Sequence, residues 1–251
     1  MPTLPDAFLT RPIAHRGYHD KAAGRPENSR AAFTAAIAAG YGIELDLQLS
    51  SDGQAMVFHD EALRRLTGTS GMVRDKTRAE LGAIPLLHGD EGIPALADVL
   101  ALVAGRVPLL IEVKDQDGAL GAGIGELEEA TVRALEGYDG PVALMSFNPH
   151  SVVRLAEQAP ALPRGLTTCA FDPKEWPTLP RATCEHLSGI PDFDRANADF
   201  ISHQHTDLGA PAVTALKARG VPILCWTIRS PQDEAAARIV ADNVTFEGYA
   251  A

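Results

Sequence analysis

Long apolar runs, cysteine pairs and an excess of basic residues are all missing from this 251-residue sequence. No stretch of roughly 18 or more apolar residues occurs, so no transmembrane helix is expected. The N-terminal MPTLPDAFLTRPIAH lacks the basic segment followed by a long apolar run that marks a secretory leader. A cytoplasmic protein without an integral membrane segment is the resulting expectation. The three cysteines, Cys169, Cys184 and Cys225, are odd in number and show no C-x-x-C spacing. That argues against a disulfide framework and against a thiolate zinc site, and leaves reduced, structural thiols. With 22 Lys and Arg against 33 Asp and Glu, the formal net charge is −11. The basic footprint of a nucleic-acid or anionic-membrane binder is therefore absent, although a local cation could still hold a small anionic substrate.

What is present is an ordinary soluble composition, 45% apolar and 22% charged, arranged as short β-type runs separated by helical runs. Nine strand candidates appear: residues 11–17, 43–49, 54–60, 107–114, 141–147, 164–170, 198–204, 221–228 and 243–249. Between most of them lie helical runs with start and stop signals. Asn28 or Ser29 can cap the alanine-rich run that ends at Gly40, and Ser230 with Pro231 opens the last one. Such alternation predicts parallel strands joined by helices. Because no glycine-rich dinucleotide or P-loop signature follows the first strand, a TIM-type (β/α)8 barrel is favoured over an open doubly wound sheet. Nine candidates for eight places means that one is a hairpin extension or lies outside the barrel. Residues 1–251 read as one domain, with residues 61–94 as a small insertion after the second or third strand and a short helix near DKTRAEL.

In IELDLQL, Ile43, Leu45 and Leu47 fall on one side and Glu44 and Asp46 on the other. The outer face of a barrel strand packs on helices, so Glu44 and Asp46 would point inward near the mouth. IEVK repeats the arrangement and adds Glu112 and Lys114 to the same space. Burying carboxylates without a partner costs on the order of 20 kcal/mol per ion before relaxation, so a cation should be close. Three oxygen-bearing groups suit a hard divalent ion, Mg2+ or Ca2+. The alternative is a salt-bridged network with Lys114 and nearby arginines. His15 in AHRG and His59 in VFHD end two strands and form a candidate acid/base pair, and Arg16 offers a guanidinium fork for phosphate or carboxylate. His203 and His205 end another strand and are weaker candidates to face a substrate.

HRG (15–17), PENS (26–29), E-x-D (44–46), DG followed by MVFHD (52–60), IEVK (111–114), MSF (145–147) and CWTI (225–228) resemble, in order and in register, the motifs of the glycerophosphodiester phosphodiesterase family. The resemblance implies a barrel of the phospholipase-C-like phosphodiesterase type that hydrolyses a small phosphodiester to sn-glycerol 3-phosphate and an alcohol. It implies His15 and His59 as general acid and base, in an order left open, and Glu44, Asp46 and Glu112 as ligands of a divalent metal. Asn28 either reaches that metal or substrate or simply caps a helix. Arg16, Lys114 and Glu27 are implied near the phosphate, and Trp226 lines the substrate or belongs to the core. Arg229 stands where the family has asparagine, and NVTFEGYAA replaces its closing T-D pair, so no residue is assigned at the end of the last strand. Two other readings stay open: a lysophospholipid or phosphoinositide head group as substrate, and a barrel that binds a phosphorylated ligand without turning it over.

Overall fold

The computed structural model describes residues 3–251. Eight parallel strands close into a barrel: β1 (Ile13–Ala14), β2 (Gly42–Leu49), β4 (Leu109–Val113), β5 (Val142–Ser146), β6 (Arg164–Thr168), β7 (Phe200–Gln204), β8 (Ile223–Ile228) and β9 (Asn243–Phe246). They pair in sequence order from β2 round to β9, and β1 bridges β9 and β2 to complete the ring. The ninth strand, β3 (Ala55–Val57), runs antiparallel to β2 across the Asp52-Gly53 turn. It is the hairpin extension that the surplus strand candidate implied.

Among the described residues ten helices accompany the strands: α1 (Ala7–Thr10), α2 (Arg30–Ala39), α3 (Arg64–Thr67), α4 (Arg78–Gly82), α5 (Leu96–Val103), α6 (Glu126–Leu135), α7 (Pro149–Gln158), α8 (Arg181–Ser188), α9 (Pro211–Ala218) and α10 (Pro231–Ala237). Ile43, Leu45 and Leu47 pack outward with Ile111, Val113 and the apolar faces of α2, α5 and α6, all fully buried or nearly so. Ser29 rather than Asn28 caps α2, its hydroxyl accepting from the Ala32 amide at 3.0 Å. That leaves the Asn28 side chain free for another task.

The barrel floor is closed from below. Leu4 and Phe8 of the N-terminal segment insert beneath Ile13, Leu110, Ala143, Phe200 and Leu224, the inward residues at the strand starts. Asn243 ties this plug down by donating to the Phe8 and Arg11 carbonyls at 2.7 and 2.6 Å. Only the C-terminal mouth remains for chemistry, as in other barrels of this kind. The segment after β3 builds a small core of its own from Met56, Phe58, Leu63, Leu66, Val73, Leu81 and Ile93. Its helix α4 carries a reciprocal Thr77–Glu80 capping box at the place DKTRAEL suggested. All three cysteines are free and buried, and burial pushes the Cys169 thiol up to about 11 and the Cys225 thiol to about 12.

Candidate active site

Register assembles the acidic cluster. In the β2–β4 pairing Asp46 lies beside Glu112, one inward position above the Glu44–Leu110 pair. Oxygen atoms of Glu44, Asp46 and Glu112 consequently come within 4.8 Å of one another, with all three residues buried. Such crowding needs compensation. Lys114 supplies part of it, donating to Glu112 Oε1 at 2.6 Å and lying 2.8 Å from Asp46 Oδ1. Burial alone would raise the Asp46 carboxyl, but Lys114, His59 and Arg16 outweigh it and hold Asp46 well below the usual range. Glu44 has the opposite fate: burial and the charges of Asp46 and Glu112 push it well above. The cluster thus carries more acid than its own cations neutralise, and its donors are all carboxylate oxygens. That is the chemistry of a site for a hard divalent cation.

Asn28 sits in the left-handed region, with φ 57°. From there its Nδ2 donates to Asp46 Oδ2 at 2.9 Å and its Oδ1 receives the Asp46 amide at 3.4 Å. Its immediate work is to orient Asp46. Arg16 also has positive φ, 55°, which turns its backbone amide onto Glu44 Oε2 at 2.9 Å. Gly17 follows at φ 80°, where a Cβ would meet Phe33 Cδ1 at 2.9 Å and Ala32 Cβ at 3.0 Å. The HRG turn therefore needs its glycine both for the backbone angle and for the seat of α2.

Both histidines are held by carboxylates through Nδ1. His15 Nδ1 lies 2.6 Å from Glu247 Oε2, directly after β9, leaving Nε2 to face the mouth. Burial lowers the His15 imidazole from its ordinary value despite the opposing pull of Glu247. Glu247 in turn receives Arg229 Nε at 2.8 Å, and His19 Nε2 lies 3.5 Å away. Burial would raise Glu247, but hydrogen bonds to His15 and His19 hold it well below the usual carboxylate range. His59 Nδ1 lies 2.7 Å from Asp60 Oδ1, and Gln48 Nε2 donates to the His59 carbonyl at 3.0 Å.

One arginine from the excursion braces both halves of the mouth. Arg65 grips Glu27 through two 2.9 Å bonds and Asp60 through bonds of 2.6 and 2.8 Å. Glu27 also receives Arg16 Nη1 at 2.7 Å, so its carboxylate is fully engaged by two guanidinium groups and serves to aim Arg16. Trp226 donates its indole N–H to the Ser202 carbonyl at 3.0 Å and presents its ring to Phe147, 5.6 Å away between centroids.

His15, Arg16, Glu44, Asp46, His59, Glu112, Lys114 and Trp226 line one chamber of about 180 Å3 at the strand ends, and Glu27 and Asn28 stand behind it. His203 is not part of it. Strand alternation turns this residue away from the interior, where it is buried against Thr168 Oγ1 at 2.8 Å and Asp207 at 3.2 Å. His205 lies in the short 3-10 turn that follows. Neither lines the chamber. Sequence reasoning missed Glu247 and Arg65. Strand alternation places Gln48 on the face of Glu44 and Asp46 but reads it as an ordinary polar position, whereas it holds the His59 carbonyl; Glu247 stands in a stretch that departs from the family pattern.

A closed parallel barrel whose mouth gathers two carboxylate-held histidines, an acidic cluster and an arginine defines a (β/α)8-barrel enzyme. The sequence profile of the glycerophosphoryl diester phosphodiesterase family matches residues 15–245. The chain belongs to that family and is an enzyme of its class. Among its relatives is a glycerophosphodiester phosphodiesterase of Caldanaerobacter subterraneus subsp. tengcongensis, 36% identical over 231 residues that cover 88% of this chain and 86% of the relative. Among solved structures, an Oleispira antarctica phosphodiesterase in complex with the product sn-glycerol-3-phosphate superposes with a TM-score of 0.74 at 25% identity, covering 96% and 94% of the two chains. The glycerophosphodiester phosphodiesterase of Thermotoga maritima shares the fold, with a TM-score of 0.70 at 24% identity over 93% and 92%.

Proposed function

We propose that the protein hydrolyses glycerophosphodiesters to sn-glycerol 3-phosphate and an alcohol, with His15 as general base, His59 as general acid and a divalent ion, Mg2+ or Ca2+, held by Glu44, Asp46 and Glu112. The observation that carries this reading is the single chamber that all five residues line together with Arg16 and Lys114. Family membership supports the reaction class, and the product seen in the Oleispira antarctica relative supports the glycerol phosphate half.

The roles of the two histidines follow from where they stand. His15 lines the chamber, whose volume of about 180 Å3 suits a small polyol phosphate, and not the wider cavity next to it, whereas His59 borders both. A diester placed with its glycerol in the chamber has its alcohol on the His59 side. His15 Nε2 takes the proton of the nucleophile, water or the glycerol hydroxyl next to the phosphate, while Glu247 steadies the imidazolium that forms. The new P–O bond forms as the P–O bond to the alcohol breaks, and His59 Nε2 gives its proton to the departing oxygen. Where the glycerol hydroxyl is the nucleophile this leaves a cyclic glycerol phosphate, which water opens in a second step, His59 now taking the water's proton and His15 returning one to the glycerol oxygen. Asp60 accepts from Nδ1–H of the His59 imidazolium, which leaves Nε2–H as the proton donor to the departing oxygen. Arg16, aimed by Glu27, stabilises the charge gathering on the non-bridging oxygens. A divalent ion bound by the three carboxylates would supply further stabilisation of that charge. Asn28 serves the ion by orienting Asp46, and Lys114 limits the repulsion between Asp46 and Glu112.

Phosphorus NMR on glycerophosphocholine tests this reading. Stoichiometric sn-glycerol 3-phosphate and choline are expected from the wild type, and none from a folded His15→Ala variant. Phosphocholine as the product would overturn the direction of cleavage, and wild-type turnover by His15→Ala would overturn its role.

A further inference from the structure

The cavity beside the catalytic chamber has a chemistry of its own. It encloses about 570 Å3 and meets the chamber along His59, Glu112, Lys114 and Phe147. One wall is apolar: Leu120, Phe147, Trp176 and Leu179. Trp176 comes from the loop between β6 and α8 and packs its ring 5.3 Å from that of Phe147 and 5.1 Å from that of Phe171. The rest of the rim is acidic, with the Asp115 carboxylate tied to the Gly118 and Leu120 amides and to Asn148 Nδ2. Asp60, Glu61 and Asp115 line it, and Glu61 is exposed there with no ion-pair partner among the described residues. Lys114 is the only lysine or arginine in the lining, and Asp46 and Glu112 already hold its ammonium group. Arg65 reaches Asp60 without lining the cavity, and Arg74 lines a smaller cleft that adjoins the cavity along Gln48, Glu61, Asp115 and Gly118.

Resting on the function proposed above, we infer that this cavity seats the alcohol half of the diester, and that Trp176 makes it select an alcohol carrying a positive charge on an apolar body over a neutral polyol or an anion. An apolar wall takes the methyl or methylene surface of such a group, and the aromatic face together with the acidic rim attracts its charge. A phosphorylated or carboxylated alcohol would meet the same rim as a like charge. A polyol would leave its hydroxyls unpaired against Leu120, Phe147 and Leu179.

Steady-state kinetics on four diesters, the glycerophospho esters of choline, ethanolamine, glycerol and inositol, test the inference. The wild type should favour choline over glycerol by on the order of tenfold in kcat/KM, carried mainly by KM. Trp176→Leu, which keeps apolar bulk and removes the π face, should erase that preference by costing the choline and ethanolamine diesters more in kcat/KM than the glycerol and inositol diesters. Trp176→Phe should restore much of it. Glu61→Gln, at an exposed position where folding is not at stake, should reduce the preference severalfold and make it less sensitive to salt. A wild type that prefers the glycerol or inositol diester, or a Trp176→Leu variant that slows all four equally, would overturn the selective seat while leaving the hydrolytic reading intact. Failure to cleave any of the four would overturn both.

Discussion

Replacing His59 by alanine should damage catalysis by an amount that depends on the alcohol, and this dependence isolates the role given to His59. General acid catalysis contributes roughly 10²- to 10⁴-fold, or about 2.7–5.4 kcal/mol of transition-state stabilisation. Two features of the structure set where in that range the loss should fall. His59 Nδ1 is committed to Asp60 at 2.7 Å and Asp60 is gripped by Arg65, so the histidine is well positioned and only Nε2 can serve the substrate. Its side chain is 32% exposed, however, so water can partly replace the missing acid. A loss of roughly 10²- to 10³-fold in kcat/KM on glycerophosphocholine is therefore expected. On the p-nitrophenyl ester of glycerol 3-phosphate, whose leaving group departs without a proton, His59→Ala should stay within about tenfold of the wild type. His15→Ala should fail on both esters, because a nucleophile needs its base whatever leaves. The assay is stopped-flow or steady-state release of nitrophenolate beside enzymatic detection of choline. Equal losses on the two esters for His59→Ala would refute its role as the acid. Rescue of His15→Ala instead would show that the two roles are reversed.

Further expectations follow from the braces around the site. Glu247→Gln should shift the acid limb of the kcat/KM profile to lower pH: Glu247 raises the His15 imidazole against a larger lowering by burial, and without the carboxylate burial acts with less opposition. A lower plateau with an unmoved limb would reduce Glu247 to a packing role. Arg65→Ala should slow turnover by roughly 10- to 100-fold with the fold intact by circular dichroism, since it loosens Glu27 behind Arg16 and Asp60 behind His59 together; full activity would show that the excursion does not support the site. Phe8→Ala should cost about 3–5 kcal/mol in urea unfolding, because this fully buried ring plugs the barrel floor. A loss under about 1 kcal/mol would mean that the floor relaxes around the gap.

Most of the fold was legible because strand alternation and helix caps are local signals. The inward turn of Glu44, Asp46 and Glu112 needed only the period of two and the geometry of a barrel, and the register that places Asp46 beside Glu112 gave it substance. The motifs around His15 and His59 carried the reaction class. What was not legible depended on contacts between distant segments. Glu247 reaches His15 across 232 positions, and no local pattern announces such a pairing. Arg65 comes from the least periodic part of the chain, where its double grip on Glu27 and Asp60 exists only once that part folds back over the mouth. The helix α1 is a single turn of four residues, and its role as a plug follows from barrel closure rather than from its own periodicity. His203 shows the converse, since a histidine at a strand end can look catalytic until one position of alternation turns it into the wall.

The central claim is that a divalent ion on Glu44, Asp46 and Glu112 and the two histidines act on one phosphodiester in one chamber. Titrating chelator-treated protein with Mg2+, Ca2+ and Mn2+ by calorimetry, while following sn-glycerol 3-phosphate release from the same samples, tests it most directly. One equivalent of bound ion should restore turnover, and Glu112→Gln should weaken both binding and turnover together. Full turnover in excess chelator, or metal binding undisturbed in Glu112→Gln, would contradict it.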